Sequence, residues 1–220
     1  MLWRFKFLLL LIYIQAGPAF AQQAESDSTV SAFRKGRWVT GLSGGISSSS
    51  TKLDTASQRA FGNQYAFDFR TGKFFRDQWL IGGIFRMQRD NSRQFVEIES
   101  ESLLAAPLIS FYLSENPQGS IFFAVAPGYS RFKEKTVVLV AGTPSQEVLE
   151  GGGFGLLTQL GYSYVLHDRI VFDLVLGLNN TWISGKRAID SSQSSRKADI
   201  HIGTVIFSFG FNVVLDQFFF

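Results

Sequence analysis

Near the end of the chain stands the stretch Val205-Ile206-Phe207-Ser208-Phe209-Gly210-Phe211-Asn212-Val213. Every second residue is large and apolar, and the residues between them, apart from Ile206, are small or polar. Because successive side chains of a β-strand point to opposite faces, this alternation predicts a strand with one apolar face and one small, polar face.

The same alternation runs through residues 61–70, 156–164 and 171–179. Each predicted strand is about 11 to 17 residues long, whereas strands of soluble proteins usually have ~5–6 residues. A strand that crosses a bilayer at a tilt needs ~9–11 residues, so these lengths indicate membrane-spanning strands. With the weaker patterns included, eight strands are predicted, at residues 37–47, 61–72, 78–89, 102–113, 120–132, 153–166, 169–183 and 199–215.

The predicted connections alternate in length along the chain. Those at 48–60, 90–101, 133–152 and 184–198 are long, and those at 73–77, 114–119 and 167–168 are short. Long loops at one end and tight turns at the other are typical of outer-membrane barrels. Because a sheet edge cannot stay unpaired in hydrocarbon, we expect an all-β fold, an eight-stranded antiparallel up-and-down transmembrane β-barrel.

A soluble alternative reverses the two faces. A lipocalin-like barrel or a β-sandwich places apolar residues inside and polar ones outside. The polar faces here carry few Lys, Glu or Arg, which a water-exposed surface needs, so the composition favours the membrane barrel. Pro107 and Pro127 fall inside the fourth and fifth strands. Because proline has no N–H to donate, we expect a bulge or a kink there.

The composition excludes several classes of function. The chain has no cysteine, two histidines and 18% charged residues, which leaves no disulfide scaffold, no thiolate metal site and no cysteine nucleophile. Without Arg4 and Lys6, which lie in a segment that we expect to be removed, 19 basic residues stand against 18 acidic ones. This balance predicts no nucleic-acid partner, and no motif predicts a cofactor or a metal site.

The N-terminus has the three parts of an export signal. Residues 1–6 carry two positive charges, residues 7–14 are an uninterrupted apolar run, and Ala19-Phe20-Ala21 supplies the small residues that a signal peptidase reads. Eight apolar residues are too few for a helix across ~30 Å of hydrocarbon, which takes about 20. We therefore expect a signal peptide at 1–21, a flexible periplasmic leader at 22–36 and the barrel at 37–220.

Polar residues on the small faces of the strands form a candidate site in the lumen. Because a lone buried charge is too costly to persist, we expect Arg70 to meet Asp68 or Asp173. Such a pair predicts a lumen plugged by polar groups, and the functional alternative is a gate or a narrow channel. The predicted inward-pointing residues are Asp68, Arg70, Arg86, Gln88, Gln159, Asp173 and Asn212.

The apolar faces are expected to contact lipid. They carry Phe67, Phe69, Phe172, Leu174, Leu176, Leu178, Phe207, Phe209 and Phe211. Membrane proteins place belts of aromatic residues at the two interfaces. Trp38, Trp79, Phe111 and Tyr164 fall at the expected periplasmic end of the strands, and Tyr129 and Trp182 fall near the opposite end.

Short motifs recur along the chain in an order known from one family. They are Pro107-Leu108-Ile109-Ser110-Phe111-Tyr112, Gly128-Tyr129, Gly161-Tyr162-Ser163-Tyr164-Val165-Leu166 and the terminal Phe220. With them the chain resembles the outer-membrane β-barrel domain proteins of the OmpX/OmpA-like porin superfamily, in the short stand-alone form common in Bacteroidetes. Ser110 stands where the family's Pro-Phe-x-Arg-Tyr-Tyr-Phe strand commonly has arginine. The resemblance implies insertion into the outer membrane of a Gram-negative bacterium by the barrel-assembly machinery, which reads a C-terminal aromatic strand.

Some eight-stranded barrels modify lipopolysaccharide, so both histidines are candidates for catalysis. His167 lies with Asp168 in a two-residue turn. His201 has Asp199 beside it, but Gly203 stands where the lipid A deacylases have the serine of their His-x-Ser pair. Because a nucleophile needs an adjacent base, the sequence predicts no catalytic residue and no enzyme. A bulge at Gly203 would leave the facing of His201 open.

The second long loop carries alternating acids. Glu97, Glu99 and Glu101 follow Arg86, Arg89 and Arg93, and they predict a solvated hairpin with cross-strand ion pairs. The functional alternative is divalent-cation bridging to lipopolysaccharide phosphates, or a ligand surface.

Together these patterns predict a small integral outer-membrane barrel that displays four extracellular loops and has a structural or interaction role. Its expected partners are outer-membrane lipids and lipopolysaccharide. The patterns name no ligand for the loops and indicate a monomer. The alternatives are a narrow pore, an accessory barrel of a secretion system, and an enzyme that modifies lipopolysaccharide.

Overall fold

Eight antiparallel strands make up most of the described chain. The computed structural model describes residues 31–52, 59–93, 97–140, 143–189 and 192–217. The strands are β1 (Trp38–Lys52), β2 (Arg59–Arg76), β3 (Trp79–Arg93), β4 (Glu97–Tyr112), β5 (Gly119–Val140), β6 (Thr143–Leu166), β7 (Ile170–Ile189) and β8 (Ser192–Leu215). Each strand pairs with the next in sequence, and β8 pairs with β1, so the sheet closes. The predicted eight-stranded up-and-down barrel is confirmed.

The closed sheet is staggered. Successive cross-strand partners lead from Trp38 through Lys73, Ile81, Ile109, Val125, Thr158 and Leu178 to Val205. On β1, the partner of Ser208 is Gly45. Val205 lies three residues before Ser208, so in this antiparallel pair it is level with residue 48. One circuit of the barrel that starts at residue 38 therefore returns to β1 ten residues further along. Such a stagger tilts the strands by roughly 35–45° from the barrel axis, and eight strands enclose a space that side chains can fill.

At one end of the barrel the strands continue well beyond their predicted ends. Pairing reaches Lys52 with Arg59, Arg93 with Glu97, Val140 with Thr143, and Ile189 with Ser192. The prediction of long loops at 48–60, 90–101, 133–152 and 184–198 was wrong, because most of these residues extend the strands as four hairpins. Their composition is rich in Ser, Gly and charge on both faces, so they lack the alternation that marks a strand beside an apolar medium.

The connections at the opposite end are short, as predicted. Residues 77–78 join β2 to β3, residues 113–118 join β4 to β5, and residues 167–169 join β6 to β7. Gln78, His167 and Asp168 have φ angles of 68°, 50° and 58°, in the left-handed region that tight turns use. His167 and Asp168 are therefore turn residues.

Two prolines face each other across β4 and β5. Pairing of these strands holds at Ala105 with Tyr129 and resumes in the same register at Ile109 with Val125. The positions between them, which contain Pro107 and Pro127, form no ladder pairs, since neither proline has an N–H to donate. The expected bulge is absent, and the prolines interrupt the hydrogen bonds without shifting the strands.

The segment before β1, residues 31–37, folds under the barrel, and we call it the strap. Phe33 is buried, and its ring stacks on that of Tyr112 with centroids 4.4 Å apart. The Gln78 N–H donates to the Phe33 carbonyl at 2.8 Å. The prediction of a flexible leader at 22–36 was therefore wrong for residues 31–36. Residues 22–30 of that leader and the predicted signal peptide at 1–21 lie outside the described residues.

Apolar clusters fill much of the interior. The larger one includes Phe33, Phe74, Tyr112, Phe122 and Val214, near the short turns. A smaller one of Phe132, Leu149 and Ile183 lies in the hairpin extensions. The charged side chains described next share the interior with these clusters, so the barrel is filled rather than open.

Candidate functional site: the charged lumen and the outer face

Alternation along β2 and β3 brings two opposite charges together inside the barrel. Asp68 and Arg86 are cross-strand partners, and both are almost fully buried. Arg86 Nε donates to Asp68 Oδ1 at 2.6 Å, and Arg86 Nη2 donates to Asp68 Oδ2 at 2.5 Å. The planar guanidinium matches the two oxygens of the carboxylate, so this pair bridges β2 and β3 at two points.

Arg70 belongs to a second group, which crosses the lumen. Its Nη2 donates to Asp173 Oδ2, and its Nε donates to Asn212 Oδ1 at 2.7 Å. Asn212 Nδ2 donates to the same oxygen of Asp173 at 2.8 Å, and Ser163 Oγ donates to Asp173 Oδ1 at 2.5 Å. Of its two expected partners, Arg70 takes Asp173, because Arg86 already occupies Asp68. The group ties β2, β6, β7 and β8 together.

Gln88 and Gln159 are also buried, but they join neither group. Their Oε1 atoms and Arg86 Nη1 have no hydrogen-bond partner among the described residues. All seven residues predicted for the lumen thus point inward. The structure brings five of them, Asp68, Arg86, Arg70, Asp173 and Asn212, into two ion-paired groups.

Sequence reasoning missed the aromatic floor of this site. Phe122 and Tyr112 are fully buried, with ring centroids 5.4 Å apart. The Arg70 guanidinium lies 5.5 Å from the centre of the Phe122 ring, within the range of a cation–π contact. Phe122 shares its face with Ala124 and is flanked by the large residues Ile121 and Phe123. This run of large side chains hid the period of two that would have placed Phe122 inside.

The opposite faces of the strands carry the apolar residues that were predicted to meet lipid. Leu176 is 49% exposed, whereas Val175 beside it is buried, as the pleat of a strand requires. Phe172 is partly covered, because the ring of Phe211 lies 4.0 Å from it, centroid to centroid. The other outward side chains are exposed: Phe67, Phe69, Leu174, Leu178, Phe207, Phe209 and Phe211. A soluble barrel would place these faces the other way round.

Aromatic residues mark the short-turn end of the outer face. Trp79 and Phe111 are cross-strand partners with ring centroids 4.8 Å apart. The Lys73 ammonium lies 5.6 Å from the centre of the Trp38 ring, and Tyr164 is exposed. These four aromatic residues lie near the short-turn ends of their strands.

A second aromatic row lies at the hairpin end. Tyr129, Phe154, Trp182 and His201 are successive cross-strand partners on β5 to β8. Trp182 stacks on His201 with centroids 5.0 Å apart. No register shift occurs at Gly203, so His201 points outward, which answers the question that the sequence left open.

The surroundings of His201 form no serine–histidine pair. The Ser184 hydroxyl donates to Asp199 Oδ1 rather than to His201. No group of three or more His, Asp or Glu side chains that could hold a metal ion forms within the described ranges. The described residues also include no helix of the length and apolarity that a membrane span requires.

The acids of the β3–β4 hairpin form exposed ion pairs. Arg89 lies 3.7 Å from Glu99 and 3.8 Å from Glu101, nitrogen to oxygen. Arg86 takes no part, because it points into the lumen. The side chains of Arg93 and Glu97 lie outside the described part of the structure.

The chain matches no protein-family model and no curated protein sequence. Its structure is similar to that of the outer membrane protein OprG from Pseudomonas aeruginosa, with 16% identity, a TM-score of 0.52, and 83% of this chain and 97% of that chain covered. It is also similar to a major outer membrane protein from Thermus thermophilus, with 9% identity, a TM-score of 0.51, and 81% of this chain and 98% of that chain covered. The closed ring of eight strands and these likenesses lead to one conclusion: the chain has the fold of the small outer-membrane β-barrels.

Proposed function

We propose that this protein is a small integral barrel of the outer membrane of a Gram-negative bacterium, with a plugged lumen and a structural or interaction role. The observation that carries the proposal is the pair of ion-paired groups, Asp68 with Arg86 and Arg70 with Asp173, inside a barrel whose exterior is apolar. A buried charge costs several kcal/mol unless it is paired, so these side chains hold each other in place across the lumen. The strap residue Phe33 adds a second obstruction at the short-turn end.

Conductance in planar bilayers tests the plugged lumen. We expect purified, refolded wild-type protein to give no stepwise current, because the two ion-paired groups and Phe33 fill the path. The variant Arg89→Ala, which removes an exposed arginine, serves as the matched control and should also stay silent. Regular single-channel steps from the wild-type protein would favour the narrow pore instead.

The proposal includes export and assembly. We expect cleavage after Ala21, insertion by the barrel-assembly machinery, contact with outer-membrane lipids including lipopolysaccharide, and a monomer. N-terminal sequencing of protein from the outer-membrane fraction should begin at Gln22. Folded protein in the soluble periplasm would contradict the location.

The four hairpin extensions are the surface on which an interaction role would act. β5 and β6 have 22 and 24 residues, whereas crossing the bilayer takes ~9–11. Deletion of the gene should leave secretion of other proteins unchanged. A secretion defect would support the accessory-barrel alternative.

A further inference from the structure

The strap enters the barrel with an aromatic side chain. The ring of Phe33 stacks on that of Tyr112 with centroids 4.4 Å apart, and it lies 6.1 Å from the ring of Phe74. Ala32 and Phe33 are buried, whereas residues 34–36 are exposed. The start of the strap therefore lies inside the barrel, and Phe33 makes its ring contacts there.

From Tyr112, hydrogen bonds lead to the ion pair of Arg70 with Asp173. The Tyr112 hydroxyl is hydrogen-bonded to Ser163. Ser163 Oγ has one proton, which it donates to Asp173, so the Tyr112 O–H is the donor to Ser163. Asp173 also accepts from Arg70 Nη2. A displacement of the Tyr112 ring therefore moves the hydroxyl groups that position the Asp173 carboxylate.

Ring contacts lead from Tyr112 to the arginine of the same pair. The rings of Tyr112 and Phe122 have centroids 5.4 Å apart, and the Arg70 guanidinium lies 5.5 Å from the centre of the Phe122 ring. Among the described residues, no hydrogen bond, ion pair or ring contact joins Asp68 or Arg86 to the strap or to these two rings. The strap is thus linked to one of the two ion-paired groups of the lumen and not to the other.

The strap is held to the barrel by fewer contacts than a strand is. Backbone hydrogen bonds join it to the barrel at Phe33, Gly36 and Arg37, whereas each strand pairs with a neighbour on both sides. The ion pair of Arg34 with Asp216 is exposed, so water replaces it at little cost. Segments with few such contacts open locally while the rest of a protein stays folded. The strap can therefore leave the barrel without unfolding it.

We propose that the strap is a switch for the lumen, in which Phe33, seated against Tyr112, holds Arg70 on Asp173. When Phe33 withdraws, the Tyr112 ring loses its stacking partner, its hydroxyl shifts, and the ion pair loosens and becomes hydrated. The other ion-paired group stays closed. The switch rests on the proposed plugged lumen, and it places one of the two charged obstructions under the control of the short-turn end.

Hydrogen exchange at the arginine Nε–H groups, followed by heteronuclear NMR of the refolded protein in lipid nanodiscs, tests the switch. Arg70 Nε donates to Asn212 and Arg86 Nε donates to Asp68, and all four residues are buried. Both groups therefore exchange slowly and report on the two lumen groups in one sample. Phe33→Ala should speed exchange at Arg70 by about tenfold or more and leave Arg86 nearly unchanged. Equal acceleration at both arginines, or at neither, overturns the switch.

Two further variants separate this chain of contacts from a general loosening of the barrel. Phe75→Ala removes the same side chain from an exposed position at the same end, and it should change neither arginine. Tyr112→Phe keeps the ring but removes the hydroxyl that reaches Ser163, so it should speed exchange at Arg70 by itself. Phe33→Ala should then have a smaller effect when added to Tyr112→Phe than in the wild type. An equal effect in both backgrounds contradicts the switch.

Folding is checked separately for every variant by the heat-dependent gel mobility of a folded barrel. If Phe33→Ala does not refold, Phe33→Leu takes its place, because it keeps an apolar side chain but has no ring to stack on Tyr112. The same difference between Arg70 and Arg86 is expected. Because conductance tests the plugged lumen and hydrogen exchange tests its link to the strap, failure of one is distinct from failure of the other.

Discussion

Asp68 and Arg86 show what a single buried residue contributes in this barrel. Asp68→Asn leaves the Arg86 guanidinium buried without a counter-charge, so we expect a loss of about 3–5 kcal/mol in the free energy of unfolding. Urea unfolding in phospholipid vesicles, followed by tryptophan fluorescence, measures it. The double variant Asp68→Asn/Arg86→Gln should lose less than the two single losses combined, because neither charge is then stranded.

An exposed ion pair provides the comparison for this prediction. Glu101→Gln removes a carboxylate 3.8 Å from Arg89 on the outer surface, where such pairs contribute under ~1 kcal/mol. If Asp68→Asn cost no more than Glu101→Gln, the lumen would be far more hydrated than the buried pair indicates.

Leu176 and Gly177 test the two faces of one strand. Leu176→Arg places a charge on the outward face, where arginine at the middle of the bilayer costs ~2–4 kcal/mol. Gly177→Ser adds a small polar group inside, and a β-carbon there would lie 3.6 Å from Arg86 Nη1, an ordinary contact. We expect the first to be much more destabilising than the second in vesicle unfolding experiments. A harmless Leu176→Arg in a folded barrel would show that this position does not meet hydrocarbon.

At the scale of elements, the strap is held to the end of β8 by charge. Asp216 Oδ1 lies 3.2 Å from Arg34 Nη2 and 3.0 Å from Arg37 Nε. The hydrogen bond from Arg34 and the charge of Arg37 hold the pKa of Asp216 below its ordinary value. Because the pKa is depressed in the folded state, the contact is fully present above the unfolded value of ~3.9. It is lost as the pH falls through the folded value.

A spin label at the start of the strap measures this loss. The chain has no cysteine, so Ser31→Cys accepts a single label. Its mobility should be low at neutral pH and rise as the pH falls below ~4. With Asp216→Asn added, mobility should be raised at neutral pH, and its rise on acidification should be smaller, since Asp77 Oδ1 still accepts a hydrogen bond from the Lys35 N–H at 2.7 Å. An unaltered acid transition in the double variant would show that another group controls the strap.

The strands were predictable where they meet an apolar medium and not beyond it. For β6, the predicted end at Leu166 is correct, but the strand begins at Thr143 rather than at residue 153. The residues before 153 include charged side chains and Gly151-Gly152, which carry no alternation, since neither face there is selected for apolarity. Phe33 was missed for a related reason, because one aromatic residue in a polar stretch has no period.

In the lumen, the sequence predicted which side chains point inward, but it did not predict every pair that they form. Alternation alone placed Arg70 and Asp173 inside and made each a candidate partner of the other. Pairing of Asp68 with Arg86 depends on the register of β2 and β3, which shifts between Phe74 and Arg76. A shift of one residue exchanges the two faces of a strand, and no pattern of residues in the sequence predicts this shift.

On the scale of the whole molecule, the barrel separates its charges by how they are neutralised. Charges in the lumen, such as Arg86 and Asp68, are paired and buried. On the hairpins, Arg131 and Arg187 pair with glutamates in contact with solvent. Only the latter kind can exchange its partner for an external ion at little cost. The ion pairs of the lumen therefore hold strands together, whereas those of the hairpins remain open to exchange with external ions.

The seam that closes the ring has a mechanical consequence. β1 and β8 pair over eight positions in the described chain, whereas β1 pairs with β2 over 15 and β7 with β8 over 20. A molecule stretched by an atomic-force cantilever must break the closing seam first, whichever terminus is held. Pulling from the N-terminus then peels β1 from 15 pairs, and pulling from the C-terminus peels β8 from 20. The rupture that follows the opening of the seam should therefore need less force for N-terminal than for C-terminal pulling. The reverse order would contradict the unequal pairing. Under tension, the barrel opens at the shortest of the described ladders of paired residues, β1 with β8.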